Sequence, residues 1–417
     1  MSTRKNETAA LADFRKYVSA AQVRQLKKLG HDFVETAAEG AFLTDDRGRR
    51  YLDCYTNAGI HNLGRRPAAV AAALREGLRV TDQGNFPMIS REKALLAEKL
   101  AHFVPGPAEC TVFGVVRGEA FDCAAKLARG HTGQRDLVAP RGSWFGQTGF
   151  ALSLSAHPYR DDYAPLVPGS RIVDFTDAEA VRSSITADTA AVFIEPFQTE
   201  NHCATFTPKI WRALWQRCGE NGTLLVVDET QCGFGRTGRR FGYEHFDVQP
   251  DTVILGEALG AGVFPICGTI FSPALNTFMN DHPLIHLSTF GGSDLGCTVA
   301  SAALDAYEQS RPWENAARRG AEIRTGLHDL IDPKGKALLS MAGEGLLLSL
   351  AFSSPTKATS MCRALAGAGV FAKPGCVAQN TVLLRPPLTI DEEDVALLVT
   401  AIQKAVKSLS TTRRSKK

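Results

Sequence analysis

No apolar run in this 417-residue chain approaches the roughly 18 residues that a membrane-spanning helix needs, so no membrane partner is expected. Charge of one sign is scarce as well: 47 Lys and Arg stand against 44 Asp and Glu, a net charge of +3. Part of that excess is a terminal cluster, Arg413-Arg414-Ser415-Lys416-Lys417, rather than a basic stripe, which argues against specific nucleic-acid binding. Paired cysteines are missing too. The ten cysteines, Cys54, Cys110, Cys123, Cys218 and Cys232 among them, show no C-x-x-C spacing and no Cys/His zinc pattern, and no charged-then-apolar leader precedes them. The expectation is free thiols in a reducing cytoplasm, with no metal site. Internal repeats and long low-complexity segments are also lacking.

What is present is 44% apolar and 22% charged residues, enough to bury a large core and to divide into two globular parts. Over residues 108–270 short apolar runs alternate with amphipathic stretches, the pattern of a doubly wound α/β sheet. Ala190-Ala191-Val192-Phe193-Ile194 and Leu224-Leu225-Val226-Val227 read as buried strands. Between them Thr207-Pro208 opens a helix with Trp211, Leu214, Trp215 and Cys218 on one face and Gly222 after its end. A third strand, Thr252-Val253-Ile254-Leu255, follows. Another helix carries Ala120, Ala124, Leu127 and Ala128 on one face and is expected to end at Gly130.

Residues 40–53 alternate around a turn at Asp46 to Gly48 and predict a hairpin. Toward the C-terminus a helix is expected over 317–330, a strand over 345–350 and an acidic-fronted helix over 391–409. These imply a large domain over 66–310 and a smaller α+β domain built from both chain ends, 1–65 and 311–417.

Polar residues fall just past the carboxyl ends of three strands: Glu195-Pro196, Asp228-Glu229 and Glu257. Open α/β sheets bind ligands at that edge. For any one of these residues, the ordinary change from strand to polar loop is explanation enough. All three in this order favour a pocket.

The run Val227-Asp228-Glu229-Thr230-Gln231-Cys232-Gly233-Phe234-Gly235-Arg236-Thr237-Gly238 is followed by Phe241-Gly242-Tyr243-Glu244-His245-Phe246 and Pro250-Asp251. Matching spacing extends to Asn62-Leu63-Gly64, Glu195-Pro196-Phe197-Gln198, Thr289-Phe290-Gly291-Gly292 and Pro386-Pro387-Leu388-Thr389-Ile390. On these motifs, over residues 33–407, the chain resembles the class III (ω-type) aminotransferases, a branch of the fold-type-I pyridoxal phosphate enzymes. The resemblance implies a mostly parallel, doubly wound large domain with a small α+β domain, a small-molecule substrate, and a homodimer with a shared active site. It also implies roles. Asp228 would pair with the cofactor's pyridine nitrogen, Gln231 would lie on its phenolic oxygen side, and Trp144 would stack on its ring. Phe145 would border the substrate pocket, Thr289 would reach the phosphate of the neighbouring subunit, and Glu200 would partner an arginine that grips a substrate carboxylate.

Three departures accompany these matches. Within Val253-Ile254-Leu255-Gly256-Glu257-Ala258-Leu259-Gly260-Ala261-Gly262, the family's lysine, which holds pyridoxal phosphate as a Schiff base, is replaced by Glu257. A carboxylate cannot form that bond. The family's Ser-Gly-Ser/Thr phosphate turn is Val116-Arg117-Gly118 here, so a hydroxyl is lost and a large cation stands where glycine permits close approach. Arg117 either binds a phosphate or carboxylate or fills the phosphate site and excludes it. Finally, the carboxylate-gripping arginine is Leu383; Arg385, nearer the prolines, borders the substrate pocket but is expected to point elsewhere, leaving Glu200 without its mate.

Together these changes predict an enzyme that has given up lysine-dependent transamination. Its reaction would be an elimination, isomerisation, cyclisation or condensation with Glu257 as acid/base, run either without cofactor or with pyridoxal or pyridoxamine phosphate held non-covalently. A second reading is an inactive homologue that supports a partner protein. A third is an active transaminase carrying a Lys→Glu change, against which the altered Val116-Arg117 turn argues. Charged replacements favour new chemistry over decay, because unpaired charges in a closed pocket are costly.

Overall fold

The computed structural model describes residues 9–335 and 338–411; the Arg413-Arg414-Ser415-Lys416-Lys417 cluster lies outside the described residues. The hairpin expected around Asp46 forms between β2 (Phe42–Asp45) and β3 (Arg50–Asp53), with β1 (Glu35–Glu39) antiparallel beside β2. Asp45 fixes its turn by accepting the backbone N–H groups of Arg47 and Arg49 on Oδ1.

The large sheet contains β4 (Cys110–Gly114), β5 (Asp136–Pro140), β6 (Ser170–Val173), β7 (Thr189–Ile194), β8 (Leu224–Asp228), β9 (Thr252–Leu255) and β10 (Cys267–Phe271). Their spatial order is β4-β10-β9-β8-β7-β5-β6. Every pairing from β9 to β6 is parallel, and only β10 runs against its neighbours. Alternate residues leave opposite faces of a strand. Val192, Ile194, Leu225, Val227, Val253 and Leu255 enter one core, while Ala191, Phe193, Leu224, Val226 and Ile254 enter the other. Both faces are thus covered, which is why these strands are continuously apolar rather than alternating.

The Pro208–Asn221 helix matches its capping signals: Thr207 Oγ1 accepts the Ile210 N–H, Pro208 takes the first turn, and Gly222 closes the end in a left-handed conformation. Trp215, expected on its buried face, lies at the margin of that stripe and is 42% exposed. The Arg117–Thr132 helix continues past Gly130 and ends at Gly133 instead. Gly130 is interior because Phe278 packs over it; a Cβ there would stand 2.0 Å from Phe278 Cζ.

A second antiparallel sheet joins β11 (Leu338–Glu344), β12 (Leu347–Phe352), β14 (Lys373–Pro374) and β15 (Thr381–Leu384), while β13 (Val370–Phe371) adds in parallel to β3. The β11–β12 turn uses Gly343 and Gly345 at positive φ, so β12 starts at Leu347 rather than 345. The helix expected over 317–330 is drawn back to Pro312–Leu327 by a proline in its first turn. The last helix, Glu392–Thr411, opens on Glu392, Glu393 and Asp394. Leu29, Ala41 and Leu52 share one core with Leu348, Val370, Leu384 and Leu398, so the two chain ends meet in the smaller sheet region. No helix among the described residues is long and apolar enough to cross a membrane.

Candidate active site

Strands β7, β8 and β9 are neighbours in register, so their carboxyl ends deliver Glu195, Asp228 and Glu257 to one edge. Gly256 permits this convergence: a Cβ there would lie 2.3 Å from Thr230 Cγ2, just past the end of β8. Above the edge lies a cavity of about 380 Å³. Arg117, Trp144, Gln231 and Glu257 line it from the large sheet, and Tyr55, Glu200, Lys373 and Arg385 complete it.

The Arg117 side chain turns inward onto Asp228, its Nε and Nη2 donating to Asp228 Oδ2 at 3.1 and 2.7 Å. Asp228 Oδ1 accepts the Thr230 N–H at 2.9 Å. Both carboxylate oxygens are therefore engaged by the protein itself. Nη2 also donates to the Trp144 carbonyl and faces Glu195 Oε1 at 3.6 Å. The carboxylate that Arg117 engages is therefore the chain's own strand-end Asp228, which it neutralises.

The start of the Arg117–Thr132 helix is occupied in the same manner. Glu257 Oε1 accepts the Arg117 backbone N–H at 2.9 Å, and Glu119 Oε2 accepts that of Val115 at 2.7 Å. Carboxylates suit this position because helix N-termini carry unsatisfied N–H groups and positive dipole charge. Oε2 of Glu257 makes no hydrogen bond to a described residue, and Glu257 is part of the cavity wall. Gly118 has a packing role: a Cβ there would stand 2.4 Å from Thr148 Cγ2, whose hydroxyl donates to the Gly118 carbonyl at 3.1 Å.

Glu195 is fully buried, accepts the Trp144 N–H on Oε2 at 2.8 Å, and leaves Oε1 without a hydrogen bond. Burial pushes its carboxyl up from 4.5 to about 8; the Arg117 charge opposes this, and Asp228 reinforces it. The upward direction holds because Arg117 commits its hydrogen bonds to Asp228. Folding therefore takes up a proton at Glu195. That stability is fully present below about 4.5 and lost as pH rises through about 8. Glu195→Gln is expected to melt with a smaller loss of Tm between about pH 5 and about pH 8 than the parent. Thermal melts at both values check this, and parallel pH dependences would contradict it. Glu229, by contrast, is structural, accepting the N–H groups of Gly242 and Tyr243 at 2.8 and 2.7 Å.

Glu200 does not lack a mate. Arg385 reaches back to it, Nη1 lying 3.1 Å from Glu200 Oε1, and the same nitrogen donates to Gln231 Oε1. The expectation failed because alternation along β15 locates backbone positions, not the reach of a long side chain; Leu383 meanwhile packs into an apolar cluster with Phe197 and Leu347. Phe145, expected at the substrate pocket, is buried instead among Phe121 and Phe193. Trp144 does line the cavity, its ring stacked on His157 with centroids 5.1 Å apart. Thr289 is exposed and absent from this chain's cavity wall. No motif carries Lys373 or Tyr55 into the site; both arrive through the small sheets.

A seven-stranded, parallel-rich sheet with its polar edge under a smaller antiparallel sheet defines the fold-type-I aminotransferase architecture. The family model for class-III aminotransferases matches residues 26–406, and the chain belongs to that family. It is 40% identical over 329 residues to an uncharacterised aminotransferase of Archaeoglobus fulgidus, covering 79% of this chain and 78% of that protein. Similarity to the putrescine aminotransferase of Pectobacterium atrosepticum is 32% over 417 residues, 96% of this chain and 89% of the relative. Among solved structures, the ornithine aminotransferase of Toxoplasma gondii superposes with a TM-score of 0.88 at 25% identity, covering 95% of this chain and 93% of that one. That enzyme holds pyridoxal phosphate at partial occupancy in its active site.

The groups of the present chain do not fit that cofactor as they stand. A pyridine nitrogen directed at Asp228 would meet the Arg117 guanidinium, and a phosphate at the helix start would meet the Glu257 carboxylate.

Proposed function

We propose that this class-III aminotransferase homologue works without a lysine-bound cofactor and catalyses proton transfer on a small carbonyl or amine metabolite, with Glu257 as the acid/base. Eliminations, isomerisations, cyclisations and condensations share that step. The observation that carries the reading is the double engagement of Arg117, side chain on Asp228 and backbone on Glu257. Neither contact is compatible with a pyridoxyl group in the family's manner, yet a cavity of about 380 Å³, within the usual ligand-site range and lined by charged groups, remains beside them. Glu257 lines that cavity and keeps one oxygen free of hydrogen bonds to described residues while the other is held by an N–H, an arrangement suited to a base.

The introduced charges are paired, so the cost of an unpaired charge no longer separates new chemistry from a silent homologue. The cavity and the free oxygen favour chemistry. The Arg117–Asp228 pair, complete without any ligand, favours the silent alternative.

Carbon–hydrogen exchange of small ketones, 2-oxo acids and amines in D2O, followed by proton NMR without added cofactor, distinguishes the two. Glu257→Gln can still accept the Arg117 N–H and is expected to fold, but to lose roughly 10²- to 10⁴-fold of the exchange rate. Exchange that is unaffected by Glu257→Gln, or that requires added pyridoxal phosphate, would sink the proposal.

The homodimer is part of the same proposal. Phe86, Leu284 and Leu287 line one apolar groove, and Phe290 beside Thr289 is 59% exposed. Light scattering is expected to give twice the chain mass of 44.9 kDa.

A further inference from the structure

Lys373 has no part in the roles above, although among the described residues it is the one lysine on the cavity wall. It sits on β14 opposite Leu383 of β15. The other charges of the wall are engaged: Arg117 by Asp228, Arg385 by Glu200, and Glu257 by the Arg117 N–H. Lys373 makes no ion pair or hydrogen bond through its side chain with a described residue, and its Nζ lies 4.4 Å from the centre of the Tyr55 ring. Arg385 approaches the same ring, its Cζ at 5.4 Å from the centre, so two cations share one aromatic ring.

A half-buried amine in this setting gives up its proton more readily than an exposed lysine. Burial is the larger cause and the Arg385 charge the next, with Glu200 opposing them, and the ammonium is held below the ordinary lysine range. An amine freed of its proton is a nucleophile toward carbonyl carbon.

We propose that Lys373 is the covalent amine of this pocket, condensing with the carbonyl of a small ketone, aldehyde or 2-oxo acid to an imine while Glu257 handles the protons. The idea rests on the reading that no lysine-bound cofactor serves the site. The Nζ lone pair forms the C–N bond as the carbonyl π pair moves to oxygen. The amine gives up two protons, the C–O bond breaks, and the oxygen leaves as water carrying both. No oxidant or further reactant is needed. Once protonated, the imine nitrogen draws electrons from the adjacent carbon and acidifies its C–H bond, and Glu257, which lines the same cavity, removes that proton. Lys373 thereby supplies the electron sink that the reading denies to a cofactor.

The test uses the full chain, purified without added pyridoxal phosphate and treated near neutral pH with cyanoborohydride and either pyruvate or hydroxyacetone. Peptide mass spectrometry then locates the reduced adduct. The expected result is selective label on Lys373 over the exposed Lys27 and Lys28, from at least one probe. Label from pyruvate alone indicates an anionic substrate, and label from hydroxyacetone alone a neutral one. Lys373→Arg keeps the charge and the Tyr55 contact but cannot form an imine, so it should lose the adduct and roughly 10²-fold or more of C–H exchange. No selective label from either probe, or undiminished exchange in Lys373→Arg, overturns the proposal. Exchange that depends on Glu257 but not on Lys373 defeats this inference alone; stoichiometric pyridoxal phosphate in the purified protein defeats the reading beneath it.

Discussion

Arg117→Met is expected to lower unfolding stability by about 3–5 kcal/mol, because it strands the buried Asp228 carboxylate without its counter-charge. Asp228 is 1% exposed, with Glu195 close by, so water cannot replace the lost guanidinium. Removing both partners tells whether the pair or its members matter. Arg117→Met combined with Asp228→Asn should recover most of the loss, since a neutral amide can still accept the Thr230 N–H. Urea midpoints of the parent, the two single variants and the double variant measure this coupling. Independent, additive effects would mean that Arg117 does not serve Asp228.

The second large effect is a gain. Changing Val116→Ser, Arg117→Gly and Glu257→Lys together should convert a chain expected not to retain pyridoxal phosphate into one that binds it stoichiometrically and is fixed to it by borohydride at position 257. Two contacts and one missing hydroxyl explain why all three changes are required. Arg117→Gly frees Asp228, Glu257→Lys clears the helix start and supplies the amine, and Val116→Ser restores a hydroxyl to the phosphate turn. Single changes should fail: Glu257→Lys alone leaves the guanidinium on Asp228 and adds a second cation beside it. Cofactor binding by the single variant at the level of the triple would show that Arg117 does not block the site.

Much of this site was legible in the chain because strand ends and helix starts are local features. Buried runs fix β7, β8 and β9, and parallel pairing brings the residues after them to one edge. What the sequence withheld was direction. Nothing in Val116-Arg117-Gly118 tells whether the guanidinium turns outward to a phosphate or inward to a carboxylate; the inward choice follows from Asp228 lying 111 positions later in the chain and adjacent in space. Arg385 was misread for the same reason, since its partner Glu200 comes from a different sheet. Phe145 was misplaced because it neighbours a residue that does face the cavity, although consecutive side chains diverge. Lys373 belongs to no motif and is set in the pocket by a two-residue strand that only the folded small sheet defines.

The most direct measurement is the pyridoxal phosphate content of the unaltered protein, purified from cells well supplied with the cofactor and again after incubation with it and gel filtration. With Arg117 on Asp228 and Glu257 at the helix start, the expected content is far below one per chain in both cases, with no borohydride-fixed group at position 257. One tightly held pyridoxal phosphate per chain, with Asp228 freed from Arg117 to receive it, would contradict it.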